Sequence, residues 1–91
     1  MKKILKGMFA ELTEKAVHGE KYPCAVRNVL TDTGITLRLT LGKLGLQVQR
    51  VSGPRHQRYE LVYKVGFKHG MTIDDVVNST YAFIDTMYEV A

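Results

Sequence analysis

The chain predicts an α+β fold of order α-β-β-β-β-α, an antiparallel β-meander with two helices on one face. Three observations predict it. Apolar residues recur at three- and four-residue spacing at both ends of the chain. Between them apolar and polar residues alternate with a period of two, and the alternating runs are separated by Gly- or Pro-bearing turns. Terminal helices and a central antiparallel sheet satisfy all three, because each period puts apolar side chains on a single face.

The first helix is expected over residues 2–17. Ile4, Leu5, Met8, Phe9, Leu12 and Ala16 form its stripe, Lys2, Lys6, Glu11 and Glu14 fall outside it, and Gly19 stands at its C-terminal end. Its apolar face is short and its polar face mixes Lys with Glu, which suits packing in a core better than lying on a membrane. Residues 22–30 are β-compatible without clean alternation, with Pro23 at the start. Thr31-Asp32-Thr33-Gly34 reads as a turn, Gly supplying a left-handed position.

The strongest signal is Ile35 to Val48. Ile35, Leu37, Leu39 and Leu41 alternate with Thr36, Arg38 and Thr40, then Leu44, Leu46 and Val48 alternate with Gly45 and Gln47. A two-residue loop at Gly42-Lys43, Gly leading, suits a type II′ turn, and it pairs Leu41 with Leu44, Leu39 with Leu46 and Leu37 with Val48. Ser52 to Gln57 combines breakers with bases and reads as a loop. From Arg58 a fourth strand places Tyr59, Leu61, Tyr63, Val65 and Phe67 on one side and Glu60, Val62 and Lys64 on the other. The last helix opens on Thr72-Ile73-Asp74-Asp75, a start resembling a capping box. Its stripe of Ile73, Val76, Val77, Thr80, Tyr81, Ile84, Met87 and Tyr88 is widened by Phe83, so it meets more than one surface.

Ninety-one residues with 45% hydrophobic and 24% charged content make one domain, residues 1–91, able to bury roughly 60–65% of its unfolded surface. The apolar run after the first lysines is too short for a secretory signal, and no stretch approaches the roughly 20 apolar residues that span a bilayer. One cysteine, Cys24, forms no internal disulfide, which fits a reducing cytoplasm. Charge is unevenly spread. Residues 1–71 hold 13 bases against five acids, a balance of +8, and residues 72–91 hold four acids and no base, a balance of −4.

Chemistry is hard to find. His18, His56, His69 and Cys24 lack zinc-site spacing, so neither a metal nor another cofactor is expected. Asp74 and Asp75 are accounted for by the field at a helix N-terminus. There is no nucleophile elbow, P-loop or dinucleotide fingerprint, and the chain is read as non-enzymatic. The double-stranded-RNA-binding domain shares the helix, sheet, helix order, but its second helix opens with lysines set against phosphate. Asp74 and Asp75 stand there instead and repel it.

Two functions are carried forward. The first is stoichiometric association with a protein partner, in the manner of an adaptor or inhibitor, through complementary fields of a basic body and an acidic last helix. Its candidate residues are Arg38, Arg50, Arg55, Arg58, Lys64 and Lys68, with Asp74, Asp85 and Glu89 on the helix. Two sheet edges also allow strand addition or pairing with a second copy. The second is nucleic-acid binding through Arg55, Arg58, Lys68 and the basic sheet edge, opposed by the expected burial of the tyrosines on the leucine side. Arg50 is out of pattern, falling on the aliphatic face opposite Ile35, where it either snorkels to solvent or anchors a carboxylate.

Overall fold

Glycines stand where four of the elements stop: Gly19, Gly42, Gly53 and Gly66. The computed structural model describes residues 1–88, the side chain of His56 excepted. It contains α1 (Lys2–Val17), β1 (Cys24–Leu30), β2 (Thr36–Gly42), β3 (Gly45–Ser52), a 3-10 turn (Pro54–His56), β4 (Arg58–Gly66) and α2 (Ile73–Tyr88). Helix α1 closes in a Schellman motif. Glu20 N donates to Lys15 O and Gly19 N to Ala16 O, both at 3.1 Å, with Gly19 at φ 86. Helix α2 opens on a reciprocal capping box: Asp75 N donates to Thr72 Oγ1 at 3.1 Å, and Thr72 N to Asp75 Oδ2 at 3.0 Å.

The sheet is an antiparallel meander of order β1-β2-β3-β4. Gly34 takes the left-handed position of the β1–β2 turn at φ 82, and Thr31 Oγ1 closes the turn by accepting from Ile35 N at 3.0 Å. One sheet face is buried under the helices: α1 packs on β1, β2 and α2, and α2 packs on β4. Leu37, Leu39, Leu41, Leu46 and Val48 of that face are fully buried with Leu5 and Met8 of α1 and Val77 and Ile84 of α2. At about 1.5–3 kcal/mol for each large aliphatic side chain, this layer outweighs any surface interaction in the molecule. Phe9 meets Phe67 at 5.9 Å between ring centroids, and Tyr63 stacks on Phe83 at 4.7 Å.

Two expectations about register need correction. The loop between β2 and β3 is Lys43-Leu44, not Gly42-Lys43, so Leu41 pairs with Leu46, Leu39 with Val48 and Leu37 with Arg50. Gly42 does not take a positive φ, and without one the type II′ turn has no basis. Leu44 is left at the hairpin tip, 87% exposed. The shift is two residues, so every other side chain keeps its face. Arg50 remains on the helix-side face, exposed, between Leu37 and Glu60 instead of opposite Ile35.

The second correction changes the surface. Val48 pairs with Tyr63 but Gln49 with Leu61, leaving Val62 as an extra residue in β4. This bulge reverses the phase of the strand. Tyr63, Val65 and Phe67 pack against the core as expected, whereas Tyr59 and Leu61 turn to the opposite face and stay about half exposed, at 50% and 51%. The expectation of one continuous aromatic face from Tyr59 to Phe67 therefore fails at Val62.

Candidate functional site

The face of the sheet turned away from the helices is built from the even positions of β1 and β2 and their partners across the ladder. Val26, Thr40, Gln47 and Lys64 make one row, Asn28, Arg38, Gln49 and Leu61 the next, and Leu30, Thr36, Val51 and Tyr59 the last. No helix among the described residues covers it. Leu30, Tyr59 and Leu61 are exposed large apolar side chains at one end, and the Arg38 guanidinium lies over the Tyr59 ring, 5.2 Å from its centroid. Val51 is buried between Thr36 and Tyr59 yet lies outside the main core cluster, giving this end of the face a small apolar floor.

At the hairpin end the same face runs into a groove of ≈ 510 Å³. Tyr22, Pro23 and Leu44 form apolar walls, and Lys43 and Lys64 supply charge. Cys24, an exposed free thiol, also lines it. Across all three rows the ionisable residues are Arg38 and Lys64, with no carboxylate, so the face is electropositive.

Both edges of the sheet are blunted. In β1 the even residues point their backbone groups outward, since Thr31 N donates to Ile35 O across the β1–β2 ladder. Two of those outward carbonyls are occupied: Lys15 Nζ donates to Cys24 O at 2.9 Å, and Arg27 donates to Val26 O at 2.8 Å. Glu11 holds both cations, bonding the Arg27 guanidinium and sitting 3.1 Å from Lys15 Nζ. Arg27 first and Lys15 second hold the Glu11 carboxyl below its ordinary value of 4.5, and Glu11 in turn raises Lys15 above 10.5. The edge at β4 carries Arg58, Glu60 and Lys64 and is bent by the bulge.

The remaining candidate residues do not converge. Arg55 and Arg58 lie at the Ser52 end of the sheet and Lys68 follows β4 at the hairpin end, so strand β4 separates them. Arg55 is the one non-glycine residue with positive φ among those described, at φ 64. Asp74 and Asp85 are exposed on α2, on the far side of the core from Arg38 and Lys64, and Glu89 lies outside the described residues. No group of three or more His, Cys, Asp or Glu gathers among the described residues, and no helix there is long and apolar enough to cross a membrane.

Alternation in the sequence already set Arg38 and Lys64 opposite the leucines. Alternation does not mark Tyr59 and Leu61 as exposed, because nothing local announces the bulge, nor Leu30, which lies in a run without clean alternation. Compared with family models, curated proteins and solved structures, the chain finds no match.

Proposed function

We propose that the protein acts by stoichiometric association with a protein partner, which docks on the open face of the sheet. The observation that carries this is the bulge at Val62, which takes Tyr59 and Leu61 out of the core side and exposes them beside Arg38. Aromatic and arginine side chains of this kind anchor protein interfaces, because they bury large area at low entropic cost. The blunted edges argue against strand addition and leave the face as the docking surface. On this reading the role is binding and not turnover.

The test is chemical cross-linking of the tagged chain in extract of its source cells, comparing wild type with Leu61→Asp. A partner captured at one-to-one mass ratio by wild type and lost in the variant is the expected result. Equal capture by both would sink the reading.

A second reading, single-stranded nucleic acid, is favoured by one feature: a half-exposed tyrosine with Arg38 at its ring, and Lys64 two rows along the same face, offers a stacking platform with cations for phosphate. It is separated by a salt titration against mixed DNA and RNA. Binding that collapses steeply with added salt supports it, and none at low salt removes it.

A further inference from the structure

We infer that the partner presents a short acidic segment with aliphatic or aromatic anchors, lying across the open face from the groove at Tyr22 and Leu44 to the Arg38–Tyr59 pair. This rests on the docking reading above and adds the chemistry and size of the occupant. Charge supplies the first argument. The face and the groove together hold Arg38, Lys43 and Lys64 and no carboxylate, while the exposed acids Asp74, Asp75 and Asp85 lie on α2, across the core. Among the described residues none of these three cations is in an ion pair. Carboxylates arriving on this face meet cations and no like charge, and cationic partners are repelled.

Size supplies the second argument. Four strands at roughly 4.8 Å spacing and seven residues at roughly 3.3 Å give a projected area of roughly 400 Å². That is about half of the roughly 800 Å² per partner in a standard protein interface. A globular partner or a second copy seated flat on the face would be under-anchored, whereas an extended segment of about seven residues matches its length of roughly 23 Å. Apolar anchor points are spaced along that track, with Tyr22 and Leu44 at the groove and Leu30, Tyr59 and Leu61 at the far end.

The experiment selects peptides of about twelve residues, longer than the track, from a random display library on the immobilised full chain at low ionic strength. Enriched peptides are then titrated by fluorescence anisotropy into wild type, the double variant Arg38→Glu/Lys64→Glu, and Leu61→Asp. Thermal melts confirm that both variants fold, as substitutions on the open face, at exposed Leu61 and Lys64 and half-buried Arg38, should allow. The expected result is an enriched set with net negative charge and at least one aliphatic or aromatic residue. Charge reversal and Leu61→Asp are each expected to weaken its binding about tenfold or more.

Neutral or basic winners, or winners indifferent to charge reversal, overturn the acidic segment, and their dependence on Leu61 would keep the docking face. Indifference to Leu61→Asp overturns both. A library that yields nothing, or an oligothymidine that binds the face when no acidic peptide does, also overturns the inference.

Discussion

Gly45 and Gly42 flank the same hairpin tip, and only Gly45 is sterically required. A Cβ on Gly45 would run into the carbonyl oxygen of Val65, with Gly66 Cα at 3.2 Å behind it, whereas a Cβ on Gly42 meets nothing within 4 Å. Gly45→Ala should therefore cost about 2 kcal/mol by prising β3 from β4. Gly42→Ala should be neutral or stabilising by about 0.5 kcal/mol, because it removes unfolded-state freedom at a residue without positive φ. Urea denaturation of the two variants checks the pair, and a destabilised Gly42→Ala would restore the glycine-led turn that the alternation suggested. Thr80 poses a different question. It is 0% exposed in α2, and its hydroxyl finds no hydrogen-bond partner among the described residues. A buried unpaired hydroxyl costs free energy that a methyl does not, so Thr80→Val is expected to hold stability or raise it by about 1 kcal/mol. A loss of several kcal/mol on denaturation would show that the hydroxyl is bonded after all.

Strand β4 shows where period-two reading succeeds and where it stops. Tyr59 and Tyr63 are four residues apart, a spacing that puts two side chains of a regular strand on one face. The bulge sets them on opposite faces. Tyr63→Ala removes the stack on Phe83 and the hydrogen bond of its hydroxyl to Ser79 Oγ, and should cost about 3 kcal/mol. Tyr59→Ala loses a half-exposed ring and its contact with Arg38, and should cost less than about 1 kcal/mol. Similar losses on thermal unfolding would mean that β4 is continuous. The hairpin and the bulge differ in legibility for a physical reason. A register shift of two residues preserves every face, so alternation places Leu37, Leu39, Leu41, Leu46 and Val48 in the core whichever pair of residues forms the loop. An insertion of one residue reverses faces, and Val62 carries neither Gly nor any polar break that would announce it. The clip that Glu11, Lys15 and Arg27 form on β1 leaves no local signal, since it depends on α1 lying along that strand. It has its own test. Because the folded Glu11 pKa is lowered, its contribution is present above the ordinary 4.5 and lost as pH falls through the lower folded value. Wild type should lose melting temperature below about pH 4.5 more steeply than Glu11→Gln, and parallel acid limbs would mean that the carboxylate is not held.

The molecule as a whole is polarised across its two layers, with the exposed carboxylates of α2 on one side and the cations of the open sheet face on the other. Such a dipole could in principle stack copies head to tail, α2 of one on the sheet of the next, and that contact does not close into a symmetric dimer. Three features oppose this contact and the edge-to-edge pairing of copies. The face spans roughly 400 Å², too little for a stable interface between globular surfaces. Both sheet edges are blunted, by the Glu11, Lys15 and Arg27 clip on β1 and by charge and the bulge on β4. The net charge of +4 adds repulsion between copies. The chain should therefore run as a 10.3 kDa monomer by light scattering up to about 100 μM. A mass that climbs with concentration and falls back on adding salt would identify the head-to-tail contact, because screening acts on opposed charges. A mass that climbs and resists salt would point to apolar stacking of two sheet faces, and Leu61→Asp would then return it to the monomer.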